Sequence, residues 1–235
     1  MLTTLFSHEE IAALAERIFR DCCRRNYDRP GFSLLKLGLD LDSSRFRHFM
    51  NALKEALSLE QQRSDGRKLS YFSLGRFDQQ VSTKFHLDGG PEDSFLMLGY
   101  EPSLIEAELS LADYSRCAAD LGMTPEEFLE RHNPMFKVNE NLLGPYLIRL
   151  HEFNPEEFQI LFINNSRSSS GWQGLLHAAV MPSPDESQRR VINSTLICPM
   201  PIEAAEILPA SEIEDFLQSH GVRRRGYDKP HLNDE

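Results

Sequence analysis

The chain has 235 residues, 40% of them hydrophobic, which is enough to bury a substantial core within one domain. Lys and Arg number 25 against 36 Asp and Glu, a net charge of −11 that sets the surface against a phosphate backbone or an anionic membrane. The tight basic run at 223–225 is too short to act as a stripe for nucleic acid. Cysteines 22, 23, 117 and 198 show no Cys-x-x-Cys spacing, and no stretch approaches about 18 apolar residues, so a reduced, cytoplasmic protein without a membrane partner is expected.

In chain order, Ser7 followed by Glu10 predicts a capping box, after which Ile11, Leu14, Ile18 and Cys22 recur at helical spacing. After the turn-like NYDRPG, Phe46, Phe49, Met50, Leu53 and Leu57 predict a second helix, opened by Ser43 or Ser44 and ending near Gln62. From Lys68 the texture changes to strand-length runs parted by Gly, Pro, Asn, Asp and Ser: KLSYFSLGRF, VSTKFHLD, SFLMLGYEP, LIEAELSL, GPYLIRLHEF, FQILFINN, LLHAAVMP and RVINSTLICP. Thr124, Pro125 and Glu127 open a helix among them; Ser211 and Glu214 open another that Gly221 closes, and YDKPHLNDE reads as a solvated tail. The predicted fold is mainly β with helices: a double-stranded β-helix (jelly roll, cupin-like) under an N-terminal helical layer. As one domain over 1–235, it divides into a helical layer at 1–66, a β-helix core at 67–200, and a C-terminal helix and tail at 201–235.

With eight histidines, about one His-x-Asp/Glu pair is expected from composition alone, so backbone geometry has to decide which pair matters. There are two. His8-x-Glu10 starts a helix, where residues two apart diverge, whereas His86-x-Asp88 ends a predicted strand, where they share a face and can chelate. His132 and His220 lie at helix ends and His231 in the tail, which leaves His151 and His177 on predicted strands. His177, in GLLHAAV, suits either a metal ligand or a satisfied core histidine. Two histidines and a carboxylate on one face leave coordination positions open, the arrangement of non-haem Fe(II) oxygenases. Downstream, Arg190, Ile192 and Ser194 share one strand face and Arg189 and Asn193 the other, so one arginine points inward and can grip a dicarboxylate with its planar fork. Lys84, Arg76 and Arg167 lie where either substrate or solvent can receive them, and Trp172 suits a core anchor as well as a pocket wall.

FHLDG, LADYSRCA, FINNSRSSSGWQGLLHA and RRVINS, in that order across 81–198, resemble the Fe(II)/2-oxoglutarate-dependent oxygenases of the taurine dioxygenase and clavaminate synthase-like kind. The resemblance implies His86, Asp88 and His177 as the catalytic iron ligands and Arg190 as the anchor of the far carboxylate of 2-oxoglutarate. Ser110, in EAELSLADY, stands in for the threonine that assists the arginine. It also implies a dioxygenase that uses O2, releases succinate and CO2, and hydroxylates a small-molecule substrate. Apart from the resemblance, a monomer or homodimer is expected. The family's second arginine falls at Ser194, which argues against a sulfonate substrate. The competing expectation is a non-enzymatic or co-substrate-independent cupin-like metal-binding protein, which needs no inward arginine.

Overall fold

Ser7 opens the first helix through the expected reciprocal pair: its hydroxyl accepts the Glu10 N–H, and the Glu10 carboxylate accepts the Ser7 N–H. In the computed structural model, which describes residues 6–136, 140–168 and 171–224, helix α1 (His8–Cys22) buries Ile11, Ala15, Ile18 and Cys22 as one stripe. The N-terminal layer is not wholly helical, because Phe32–Gly38 forms strand β1. This run is seven residues long, and tertiary pairing, more than any alternation of its own, holds it extended. Helix α2 (Ser43–Asp65) is capped by Asp42, not by Ser43 or Ser44. It continues past Gln62 to Gly66, whose φ of 77° supplies the left-handed stop.

The remaining strands are β2 (Arg67–Asp78), β3 (Phe95–Tyr100), β4 (Glu108–Ala112), β5 (Leu147–Arg149), β6 (Phe158–Asn164), β7 (Leu176–Val180), β8 (Val191–Pro201) and the two-residue β9 (Arg223–Arg224). The run 81–88, expected as a strand, is irregular apart from an isolated bridge between His86 and His177. Helix α3 (Tyr114–Asp120) was not foreseen, whereas α4 (Pro125–His132) keeps its Thr124–Glu127 capping box. A short α5 (Glu140–Leu143) follows. Helix α6 (Ala210–Gln218) starts after Pro209 without a side-chain cap and stops at Ser219, so neither the Ser211–Glu214 opening nor the Gly221 closure is made. The expected tail lies outside the described residues.

The strands build a six-stranded sheet in the order β1-β6-β3-β8-β2-β9 and a three-stranded sheet in the order β5-β4-β7. Alternation along the central strands explains the layering. On β3 and β6, Phe95, Met97, Phe158, Ile160 and Phe162 pack with α1 and α2, while Leu96, Leu98, Leu161 and Ile163 pack with Leu109 and Leu111 of β4. Both strands are therefore buried along their whole length, which is why they read as continuous apolar runs. Gly99 lets α2 come close: a Cβ there would stand 2.4 Å from Met50 Sδ. A third cluster, with Tyr114, Cys117 and Phe128, seats α3 and α4 beside Leu176 and Leu87. No helix among the described residues is long and apolar enough to cross a membrane.

Two buried polar assemblies tie elements together. Arg24, after α1, pairs with Asp113, the residue that caps α3, and also donates to the carbonyls of Arg29 and Gln173. Removing one partner of such a pair strands the other charge. The expected result for Asp113→Ala, read from urea unfolding, is a stability loss of about 3–5 kcal/mol. On the helical face, Arg47 and Arg76 converge on Glu101, and both donate to carbonyls at the end of α6: Arg47 to Leu217 and Ser219, Arg76 to Ser219. Asn193 accepts from Arg76 and donates to Glu101.

Candidate metal centre

The segment before Asp88 runs beside β7 without forming a full ladder. Thr83 N–H donates to the Ala179 carbonyl and its hydroxyl accepts from Ala179 N–H, while His86 and His177 exchange backbone hydrogen bonds at 3.0 Å in both directions. That exchange sets the two histidines directly opposite each other, with ring centroids 4.1 Å apart. Asp88, two residues on, returns its carboxylate to the same side. Its Oδ1 lies 3.5 Å from His86 Nε2 and 3.9 Å from His177 Nε2, and one ligand atom from each residue falls within 4.8 Å of the others. Cis ligands with bonds of about 2.1 Å stand about 3 Å apart, so small side-chain rotations would close the three around one ion.

Asn165, just past β6, holds the Asp88 peptide at both ends: its Oδ1 accepts the Asp88 N–H at 3.0 Å, and its Nδ2 donates to the Asp88 carbonyl at 2.9 Å. His86 Nδ1 lies 2.7 Å from the Lys84 carbonyl, a contact that favours a proton on Nδ1 and leaves the Nε2 lone pair toward Asp88. Burial, reinforced by neighbouring His86, lowers the His177 pKa to about 4, so that imidazole stays neutral through the physiological range with its lone pair available.

The same three residues open onto a cavity between the sheets. Its lining includes Arg190, 2% exposed, with the guanidinium over the Tyr100 ring and Nη1 donating to the Gln79 carbonyl at 2.9 Å. Arg189 is exposed, so of the adjacent pair Arg190 is the one inside. Burial pushes the Tyr100 hydroxyl up to about 12 against the opposing pull of Arg190, which keeps it a neutral donor. Thr83 and Ser194 place hydroxyls along the same wall. Three buried polar atoms without a hydrogen-bond partner among the described residues belong to this lining: Gln79 Oε1, His177 Nδ1 and Arg190 Nη2. Buried polar atoms are normally satisfied, so three residues with such atoms in the lining of one cavity mark a place for a polar ligand.

Ser110 is not among the residues that line this cavity. It lies between Leu109 and Leu111 on β4, both of which enter the core, so its side chain leaves by the opposite face and does not line the cavity. Thr83 and Ser194 are the hydroxyls the sequence reading missed, although the face shared by Arg190, Ile192 and Ser194 already pointed to the second. His151 is exposed in a turn and His132 sits against Phe128, so neither joins the cluster.

No protein-family model and no curated protein matches the sequence. Among solved structures, the non-heme α-ketoglutarate-dependent epimerase SnoN from nogalamycin biosynthesis superposes with a TM-score of 0.37 at 14% identity, covering 88% of this chain and 86% of that one. A likeness at that level defines neither fold nor activity.

Proposed function

We propose that the chain is an Fe(II)- and 2-oxoglutarate-dependent dioxygenase of a small molecule, built as one domain on a double-stranded β-helix. The carrying observation is that the His86–Asp88–His177 cluster and the inward Arg190, whose Nη2 lacks a hydrogen-bond partner, line one cavity. The donor set fits the metal: two imidazoles and one carboxylate on one side suit Fe(II) and leave positions for a chelating co-substrate and O2. When bound, Fe(II) with 2-oxoglutarate supplies oxidative decarboxylation coupled to attack on a substrate C–H bond. His86, Asp88 and His177 hold the metal. Arg190 grips the far carboxylate through its planar fork, with Tyr100 and either Thr83 or Ser194 donating hydroxyls. Leu98, Ile192 and Ala179 keep the wall between them apolar and exclude water. A co-substrate-independent cupin-like site gives no reason to bury Arg190 in the cavity.

The test is an anaerobic titration of the apoprotein with Fe(II) and then 2-oxoglutarate, followed by the weak visible charge-transfer band of the chelate. A band, with succinate released once O2 and a substrate are supplied, is expected. Stoichiometric iron without a band would sink the 2-oxoglutarate assignment. Asn165 offers a check on positioning. Asn165→Ala leaves the Asp88 N–H and carbonyl without their partner, so Co(II), a stable stand-in for Fe(II), is expected to bind about 10- to 100-fold more weakly in a calorimetric titration.

A further inference from the structure

His86 and Asp88 also line a second cavity, of which Arg190 is not a lining residue. The loop 87–91, the end of α4 and the residues just after it line this second cavity. The cavity walls have a consistent chemistry. Leu87, Leu129, Met135 and Phe136 are apolar, and Phe136 is 83% exposed, a large aromatic standing in solvent beside the cluster. The cation on this wall is Arg167, which is held in place at one nitrogen, Nη2 donating to the Gly90 carbonyl at 3.2 Å. Its backbone N–H is fixed to the Glu92 carbonyl at 2.8 Å. The guanidinium thus has an anchored base and two further nitrogens without a hydrogen bond among the described residues.

We infer that this second cavity receives the molecule to be oxidised, and that this molecule is a monocarboxylic acid with an aliphatic or aromatic body. The body lies against Leu129, Met135 and Phe136, and the carboxylate meets Arg167. A carboxylate is favoured over a phosphate because one planar fork matches two oxygens and a single charge, whereas a phosphate dianion draws on more donors than this wall offers. The inference rests on the function proposed above and adds the substrate class.

The test uses the full chain loaded with Fe(II) and 2-oxoglutarate under argon, titrated with hexanoate and phenylacetate and with the uncharged hexanamide and phenylacetamide. Binding is read by calorimetry and by the shift each probe causes in the visible band. The expected result is that the acids bind more tightly than the amides. R167Q is expected to weaken the acids about tenfold or more with the amides unchanged, and F136A to weaken both classes several-fold. Both positions are exposed, so the variants are expected to fold. Acids binding no better than amides, or binding R167Q as tightly as wild type, would overturn the inference. So would acids that compete with 2-oxoglutarate and lose binding in R190A, which would place them in the first cavity. Absence of the band counts against the parent reading alone, because calorimetry on the metal-loaded protein still reports the R167Q difference.

Discussion

His177→Ala is expected to abolish stoichiometric Fe(II) binding while leaving the chain folded. The reason lies in what each part of the residue does. Its backbone makes the pair of hydrogen bonds with His86 that orders the neighbouring segment, and alanine keeps both. Its imidazole is neutral, largely buried and close to Asp88, so the side chain contributes one of three ligands and little else. Losing even a group that orients a ligand costs about 10- to 100-fold in metal affinity, and losing the ligand itself exceeds that range. The checks are iron per chain after anaerobic gel filtration and the thermal midpoint of the apoprotein, which should fall by only a few degrees. A variant that unfolds would make His177 a core histidine instead.

The second large effect has opposite signs in two measurements. Arg190→Met is expected to weaken 2-oxoglutarate by about 100-fold, because a buried guanidinium paired with a carboxylate contributes roughly 3 kcal/mol, and the thioether offers no donor. In the absence of co-substrate, the same guanidinium is buried with Nη2 unpartnered, and burial already lowers its pKa. Replacing such a charge with an apolar chain of similar length is neutral or stabilising. The apoprotein of Arg190→Met should therefore be at least as stable as wild type in urea, by up to about 1 kcal/mol. Tight 2-oxoglutarate binding by this variant would remove Arg190 from the proposed function, and a large loss of stability would make it a structural residue.

How far the sequence carries depends on whether the signal is local. The capping boxes at Ser7 and Thr124 and the two-residue spacing of His86 and Asp88 are decided by neighbours in the chain, and the structure reproduces them. Strand β1 is decided by β6, more than a hundred residues away, so FSLLKLG gave no period to recognise. The 81–88 run had strand composition, but only part of it reaches β7, and Asn165 completes the placement of Asp88 from a distant loop. A resemblance fixes position in the chain, not the parity of a strand, and Ser110 sits on the opposite parity from Leu109 and Leu111, away from the cavity lining.

The end of α6 is bound to the sheet by two guanidinium groups that share one carboxylate, Glu101, and donate to the carbonyls of Leu217 and Ser219, with Ser43 and Asn193 as their further partners. Lifting the helix would uncover Arg47 and Arg76 together and leave a surplus positive charge beside the apolar layer. Peripheral helices usually fray on their own, but this one has no inexpensive open state. Its backbone amides should exchange with deuterium on the schedule of the central strands β3 and β8, so that the last helix of the described chain opens only when the whole sheet does.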